Sequence, residues 1–300
     1  MAQQPPSIVI GELFRVNCNI DQSWIPIGQG SSGIVAQAQN IQSGAIVAMK
    51  IIPAPNFTPE DCSNVLRQLQ ELYTSSHPNV VEFYGTYYYN EKNSVIIVTE
   101  YMDLGSLRDV MTRIGPAPEN VVGWLSGQLL AALVYLHRER RLIHRDIKPS
   151  NILLNSRGQV KLSDFGMSTQ LANTLDPANT WVGSTTYMSP ERISGLQYVW
   201  NSDIWSLGIT LFELGTGVFP YASDRRLEMV ELLDRIVDEP PPALPNDRFS
   251  AECCDFMSLA VKKRVEERPH AEILLGHPFV IQNSQADIGP WVQRAMQSLQ

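Results

Sequence analysis

Cysteine is scarce in this 300-residue chain: Cys18, Cys62, Cys253 and Cys254 are all there is, with no Cys-x-x-Cys pair and no histidine at ligand spacing. A disulfide framework and a zinc site of the usual patterns are therefore not expected, and a reducing compartment is implied. Basic charge is also short. Lys and Arg number 23 against 31 Asp and Glu, a formal net charge of -8, which opposes nonspecific attraction to nucleic acid or anionic lipid. Long apolar runs are missing as well, since a stretch such as Leu129 to Leu136 falls far below the ~20 residues a spanning helix needs. The opening Met-Ala-Gln-Gln-Pro-Pro has no basic segment followed by an apolar one, so no export signal is read there. The expectation is a cytoplasmic protein with no membrane insertion and no nucleic-acid partner.

What is present is an ordinary globular composition, 44% hydrophobic and 18% charged, enough for a sizeable core. From Trp24 to Val98 the signals are mostly those of strands. Ile34-Val-Ala-Gln-Ala, Ala45-Ile-Val-Ala-Met-Lys-Ile-Ile and Val95-Ile-Ile-Val-Thr are short, β-branched and bounded by Gly, Asn or Pro. One interruption, from Pro59 to Ser76, spaces Val65, Leu66, Leu69 and Leu72 as an amphipathic helix. After Gly105 the balance inverts: Val121 to Arg138, Ser202 to Thr216, Leu227 to Val237 and Ala251 to Val261 carry helical periodicity between Pro- and Gly-rich breaks. The predicted fold is α+β with two lobes. The predicted limits are a short extension over 1–23, a β-rich lobe with one helix over 24–102, an α-helical lobe over 103–280 and a tail over 281–300.

Gly28-Gln-Gly30-Ser-Ser-Gly33-Ile-Val35 is a glycine-rich string that by itself is as readily a plain turn as a phosphate cradle. A dinucleotide fold needs a helix after it. Here the next residues alternate as a strand and lead to Val47-Ala48-Met49-Lys50, which points to a hairpin whose backbone amides can close over phosphates. Alone, Lys50 would read as a solvated strand residue. The loop His144-Arg145-Asp146-Ile-Lys148-Pro-Ser-Asn151 is far more specific, because thirteen residues after Asn151 comes Asp164-Phe165-Gly166.

Glycine loop, strand lysine and these two motifs, in this order, resemble the protein kinase signature set over about Trp24 to Val280. The resemblance implies an enzyme that binds ATP with Mg²⁺ and moves the γ-phosphoryl group to a protein hydroxyl. Lys50 would hold the α- and β-phosphates, and Asn151 and Asp164 would offer hard oxygen ligands to Mg²⁺. Asp146 would orient the incoming hydroxyl and accept its proton, and Lys148 would neutralise the γ-phosphoryl group. For the nucleotide, the resemblance implies Ile27, Gly28, Gly30, Gly33, Val35 and Ala48 above, Leu153 below, backbone of Glu100 and Met102 at the adenine edge, Thr99 as gatekeeper and Ser106 beside them. Ordinary core packing is the competing reading of these apolar residues. Glu191 in Ser189-Pro190-Glu191 would pair with Arg268, and Asp203 would brace the catalytic-loop backbone.

Thr174 and Thr180, with five residues between them, lie between Asp164 and Glu191. That spacing, with Tyr187-Met-Ser-Pro-Glu-Arg192 and Ile236-Val-Asp-Glu-Pro-Pro-Pro-Ala-Leu-Pro, is similar to MAP kinase kinases, the spacing to their plant-type members. The resemblance implies a dual-specificity kinase acting on the Thr and Tyr of a MAP kinase and switched on by an upstream MAP kinase kinase kinase. Phosphates on Thr174 and Thr180 would each add about -1.5 to -2 charge, with Arg145 as the cationic partner.

Two features depart from the family. Gln68 stands where the family places the glutamate that pairs with the strand lysine, with Glu71 one turn along as a substitute if the helix is shifted. Residues 1–23 hold one basic residue, Arg15, where many members carry a basic docking segment. A pseudokinase scaffold and a Ste20-like Ser/Thr kinase are the competing readings. If the missing charge limits turnover by about 1 kcal/mol, Gln68→Glu raises activity several-fold in a phosphotransfer assay. A fall would overturn the register.

Overall fold

The computed structural model describes residues 7–10, 13–19, 21, 23–30, 33–54, 66, 76–164, 185–222 and 228–299. Contacts divide the chain into two units, with the change between Met102 and Asp103 and with residues 78–80 belonging to the second. The helix predicted over 59–76 falls outside the described residues except for Leu66, which is helical, and Ser76, which is not. Gln68, Phe165, Gly166, Thr174 and Thr180 also lie outside them.

The first unit is built on antiparallel strands: β1 (Ser7–Ile10), β2 (Phe14–Asn17), β3 (Pro26–Gly30), β4 (Gly33–Asn40), β5 (Ile46–Pro53), β6 (Phe83–Tyr89) and β7 (Ser94–Glu100). They are ordered β1-β2-β4-β5-β7-β6, with β3 also pairing β4. The sheet thus starts well before Trp24. Phe14-Arg-Val-Asn alternates buried and exposed, the period-two signature of a half-buried strand, and β2 lies against the end of β4 with Val16 opposite Ala38.

Alternation also fixes which side of this sheet is core. Ala36 and Ala38 of β4 and Val47, Met49 and Ile51 of β5 are buried in one cluster with Ile10, Phe14, Val16, Cys18, Trp24, Ile96 and Val98. Phe14 meets Tyr87 edge-on at 5.8 Å, and Trp24 meets Tyr89 at 5.5 Å. The interleaved residues Val35, Ala48 and Lys50 therefore lie on the other face.

In the second unit the helices are α1 (Leu107–Ile114), α2 (Glu119–Val134), α3 (Pro190–Ile193), α4 (Trp200–Thr216), α5 (Met229–Asp238), α6 (Ala251–Ala260), α7 (Ala271–Leu275), α8 (Pro278–Asn283) and α9 (Gly289–Gln297). Short strands β8 (Gly105–Ser106), β9 (Ile152–Leu154) and β10 (Val160–Leu162) form a second sheet, ordered β10-β9-β8. A capping box starts α1: the Ser106 hydroxyl accepts from Asp109 N, and the Asp109 carboxylate accepts from Ser106 N at 2.9 Å.

Helix α4 is buried from Asn201 to Gly215 on every side, as a helix in the centre of a domain must be. Helix α2 buries Val121, Val122, Leu125, Leu129, Leu130 and Leu133 and leaves Asn120 exposed. At Gly123 of α2 a β-carbon would stand 2.6 Å from the Asn283 side chain of α8, so this crossing needs glycine. The tail is part of the unit. Trp291, Val292 and Ala295 of α9 are buried, Arg294 donates to Ile114 O at 2.9 Å, and Arg113 donates to the Ser298 hydroxyl at 3.1 Å.

One buried ion pair links α3 to the loop before α7. Arg268 donates to both Glu191 oxygens at 3.0 Å, to Asn201 O at 2.7 Å and to Lys262 O at 3.0 Å. Its guanidinium also lies 5.4 Å from the centre of the Trp205 ring. Burial pushes the Glu191 carboxyl up, but the Arg268 bonds, the Arg268 charge and the Ser202 hydroxyl hold it below its ordinary 4.5. Removing one partner strands a buried charge, so Arg268→Ala costs about 3–5 kcal/mol by denaturant unfolding. Because the folded-state pKa of Glu191 is lowered, its stabilisation is full above the unfolded carboxylate range and is lost as pH falls through the folded value. The difference in melting temperature between the native chain and Glu191→Gln is therefore largest near neutrality and narrows below about pH 4. A constant difference would show that the pair is not what Gln removes.

Candidate active site

The loop after α2 begins with a turn of π-helix, Tyr135–Glu139, which puts His137 inward. Next in the chain, His144 and Arg145 present consecutive N–H groups to one carboxylate. Asp203 Oδ2 accepts from His144 N at 2.8 Å, and Oδ1 accepts from Arg145 N at 2.9 Å. His137 Nε2 lies 2.8 Å from Oδ2, and the Tyr198 hydroxyl donates to Oδ1 at 3.0 Å. Asp203 is completely buried, and these four partners fill the four lone-pair positions of a carboxylate. Burial alone would raise its pKa, yet it is lowered, chiefly by the His137 bond. So an ionised group in the first turn of α4 holds the loop by its backbone.

That grip has a conformational consequence. Arg145 is left-handed, with φ 72°, a costly state for a residue with a β-carbon. The bond from its N–H to Asp203 maintains it, as does its carbonyl, which accepts from Arg192 Nη1 at 2.9 Å. His144 is buried, its Nε2 lies 3.0 Å from Ser163 O, and Asp146 N donates to its Nδ1 at 3.3 Å. Accepting at Nδ1 leaves the proton on Nε2, facing the Ser163 carbonyl. Burial, more than the nearby carboxylates, sets its pKa and lowers it below 6.5, so the ring is neutral at physiological pH.

With this base held, the chain runs extended through Lys148, so the side chains of Asp146 and Lys148, two apart, fall on one side. Lys148 Nζ donates to Asp146 Oδ2 at 2.8 Å. The 3₁₀ turn Pro149–Asn151 then brings the chain back. Asn151 Nδ2 donates to Asp146 O at 2.7 Å and to Asp146 Oδ2 at 2.8 Å. Burial pushes the Asp146 carboxyl up, but the Lys148 charge and hydrogen bond and the Asn151 amide outweigh it and hold the carboxyl below its ordinary range. Asp146 is thus a carboxylate at neutral pH. Asn151 turns its N–H groups to Asp146 and keeps Oδ1 as a hard donor.

The carbonyl of Asn151 accepts from Ser163 N at 2.9 Å, which ties the loop to the residues between the end of β10 and Asp164. Asp164 is itself left-handed, at φ 59°. Among the described residues no group of three or more His, Cys, Asp or Glu could hold a metal by itself. Mg²⁺ takes one or two protein oxygens and fills its shell with water and phosphate. Asn151 and Asp164 fit this donor set.

In the first unit the register brings the other predicted residues into rows. Gly28 pairs Val35, Val35 pairs Lys50, and Ala48 pairs Thr99, all on the face away from the core cluster. The strands on either side of Ser31-Ser32 pair antiparallel, with Gly30 opposite Gly33. Gly33 has no room for a side chain, since a β-carbon there would lie 2.2 Å from Ile51 O. Ile27 is exposed, Met102 is buried, and the Glu100 carboxylate accepts from Glu82 N at 2.7 Å. Leu153 is partly buried on β9, and Ser106 is the helix cap described above. His137, Tyr198, Ser163 and Arg192 were missed from the sequence. His137 and Arg192 reach residues far along the chain, Ser163 acts through its own backbone, and Tyr198 reaches Asp203 five residues on; no signature motif records these roles.

Residues 23–280 match the family described as protein kinase domain. Over 258 residues the chain is 43% identical to mitogen-activated protein kinase kinase 2 of Arabidopsis thaliana, covering 85% of this chain and 70% of that one. It is 42% identical over 266 residues to mitogen-activated protein kinase kinase SIPKK of Nicotiana tabacum, covering 87% of this chain and 74% of that one. It is 37% identical over 295 residues to the dual specificity mitogen-activated protein kinase kinase dSOR1 of Drosophila melanogaster, covering 90% of this chain and 73% of that one.

Asp203→Asn replaces one acceptor oxygen with an NH₂ that faces donors. The expected result is a fall in kcat of about 10- to 100-fold, the equivalent of about 1.4–2.8 kcal/mol, with a much smaller change in the KM for ATP. Steady-state kinetics in both substrates check this, and an unchanged kcat would show that the loop holds its shape without the charge.

Proposed function

The chain belongs to the MAP kinase kinase family of protein kinases, and from that premise we propose that it phosphorylates the Thr and Tyr of a MAP kinase activation loop, using ATP and Mg²⁺. The observation that carries the chemical part is the Asp146 constellation. A carboxylate kept ionised by Lys148 and Asn151, on a backbone clamped by Asp203, is suited to receive a substrate hydroxyl.

In this reading Asp146 accepts the hydrogen bond of the incoming Thr or Tyr hydroxyl and aligns its oxygen for in-line attack. It is a weak base, since its pKa is lowered, so its main contribution is orientation; the proton reaches it as the bond to phosphorus forms. Lys148 neutralises charge on the transferred group, and Asn151 Oδ1 and the Asp164 carboxylate would hold Mg²⁺. Bound Mg²⁺ would supply positive charge that offsets the charge of the phosphates. On the sheet, Val35, Ala48 and Thr99 offer one face to adenine, while Lys50, opposite Val35, serves the α- and β-phosphates. Phosphorylation of Thr174 and Thr180 by an upstream kinase is the proposed switch, with Arg145 as partner. A cytoplasmic location fits the scarcity of cysteine, and no helix among the described residues is long and apolar enough to cross a membrane.

The test is transfer from radiolabelled ATP by the Thr174→Glu, Thr180→Glu protein to an inactive MAP kinase and, separately, to a generic basic protein. Label on Thr and Tyr of the MAP kinase is expected. Asp146→Asn should lower it by about 10²–10⁴-fold. Transfer to the generic protein alone would favour a Ste20-like kinase, and ATP binding without transfer would favour a pseudokinase.

A further inference from the structure

Tyr187, at the head of the Tyr187 to Arg192 run, meets two side chains that no motif includes, Arg108 and Glu213, in the second unit. Arg108 of α1 donates through Nη1 to Glu213 Oε1 at 2.7 Å and through Nη2 to Glu213 Oε2 at 3.0 Å. The Tyr187 hydroxyl donates to Glu213 Oε2 at 2.5 Å, and Arg108 Nη2 also reaches the Tyr187 oxygen. The protons have one arrangement. An ionised carboxylate only accepts, so Tyr187 gives its hydrogen to Glu213 and its oxygen receives Arg108. Burial and then Glu213 push the Tyr187 phenol up, so it keeps that proton at any physiological pH. Glu213 is 7% exposed and Arg108 41% exposed, so the bridge runs from the interior to the surface.

Tyr187 belongs to the short stretch that leads from the Thr174 and Thr180 segment into α3. Its carbonyl accepts from the Ser206 hydroxyl of α4 at 2.8 Å, and its ring meets Phe219 edge-on at 5.7 Å. Five residues on, Arg192 donates to the Arg145 carbonyl at 2.9 Å, next to Asp146. One end of this stretch is therefore fixed to the catalytic loop, and the other to α1 and α4.

Resting on the kinase reading above, we infer that Arg108 is a positioning residue for the protein substrate. It locks Tyr187 onto Glu213 and so sets the stretch 187–190 relative to the catalytic loop. Arg108 bonds Glu213, Tyr187 and Thr112, none of them assigned to ATP or to the reacting atoms, so its removal alters recognition of the acceptor protein rather than of ATP. A planar, two-pronged donor suits the task, because it binds both carboxylate oxygens and the phenol together.

The experiment is steady-state kinetics of Arg108→Ala, Arg108→Lys, Tyr187→Phe and the double variant Arg108→Ala, Tyr187→Phe, in the Thr174→Glu, Thr180→Glu background. Arg108→Ala should raise the KM for the acceptor protein about three- to tenfold and leave the KM for ATP within about twofold. Arg108→Lys should recover part of the loss, and the double variant should be no worse than the worse single one, because the residues act as a unit. An unchanged acceptor KM, a parallel rise in the ATP KM, or full additivity would overturn the inference. Hydrogen exchange gives a readout that needs no turnover. The Met188 amide, which donates to Thr185 O at 3.1 Å, should exchange faster in Arg108→Ala while the interior of α4 stays protected. Unchanged exchange at Met188, or loss of protection throughout α4, would refute local positioning. If the MAP kinase accepts no phosphate but a generic protein does, the substrate reading fails, and the Arg108 effect is read on that acceptor instead.

Discussion

A single buried carboxylate organises the chemistry of the second unit. Asp203 sits in the first turn of α4, where the helix N-terminus favours negative charge, and all four of its acceptor positions are taken by groups from the catalytic-loop backbone, from His137 and from Tyr198. An ionised group with no access to water is tolerable only when fully partnered. Its partners are fixed by the same demand. The left-handed Arg145, the inward His144 and the alignment of Asp146 with Lys148 and Asn151 all lie downstream of that constraint.

The neighbouring interactions repeat the pattern at different depths. Glu191 is held by Arg268, and Glu213 by Arg108 and Tyr187. In each case a carboxylate on or beside a helix gathers donors from remote stretches of chain. Arg192 then joins α3 to the catalytic loop through the Arg145 carbonyl. These contacts are worth more for geometry than for net stability, because desolvation offsets much of the Coulomb gain.

Much of this could be read in the residues. Alternation in Ile34 to Ala38 and Ala45 to Ile52 gave strands, and the structure has them as Gly33–Asn40 and Ile46–Pro53. Periodicity gave α4, α5 and α6 within a few residues. Two elements carried a signal that went unused. Phe14-Arg-Val-Asn alternates like the other strands, and Trp291, Val292 and Ala295 follow Gly289-Pro290 with helical spacing. Both lie at the margins of the region covered by the resemblance, and both bury side chains in their units. Helix α1 was hidden because only two of its residues, Leu107 and Val110, are buried.

What the sequence determined by itself was local: the period of each element, the glycines where backbone comes close, and the order of the phosphate, metal and base residues along the chain. Those follow from side-chain type and spacing within a few residues. The tertiary structure alone decided which charges are buried and who satisfies them. His137 and Asp203 are 66 residues apart, and Arg108 and Glu213 are 105 apart. The free energy of a carboxylate depends on the water it has lost and the donors it has gained, and both are properties of the packed chain rather than of any segment.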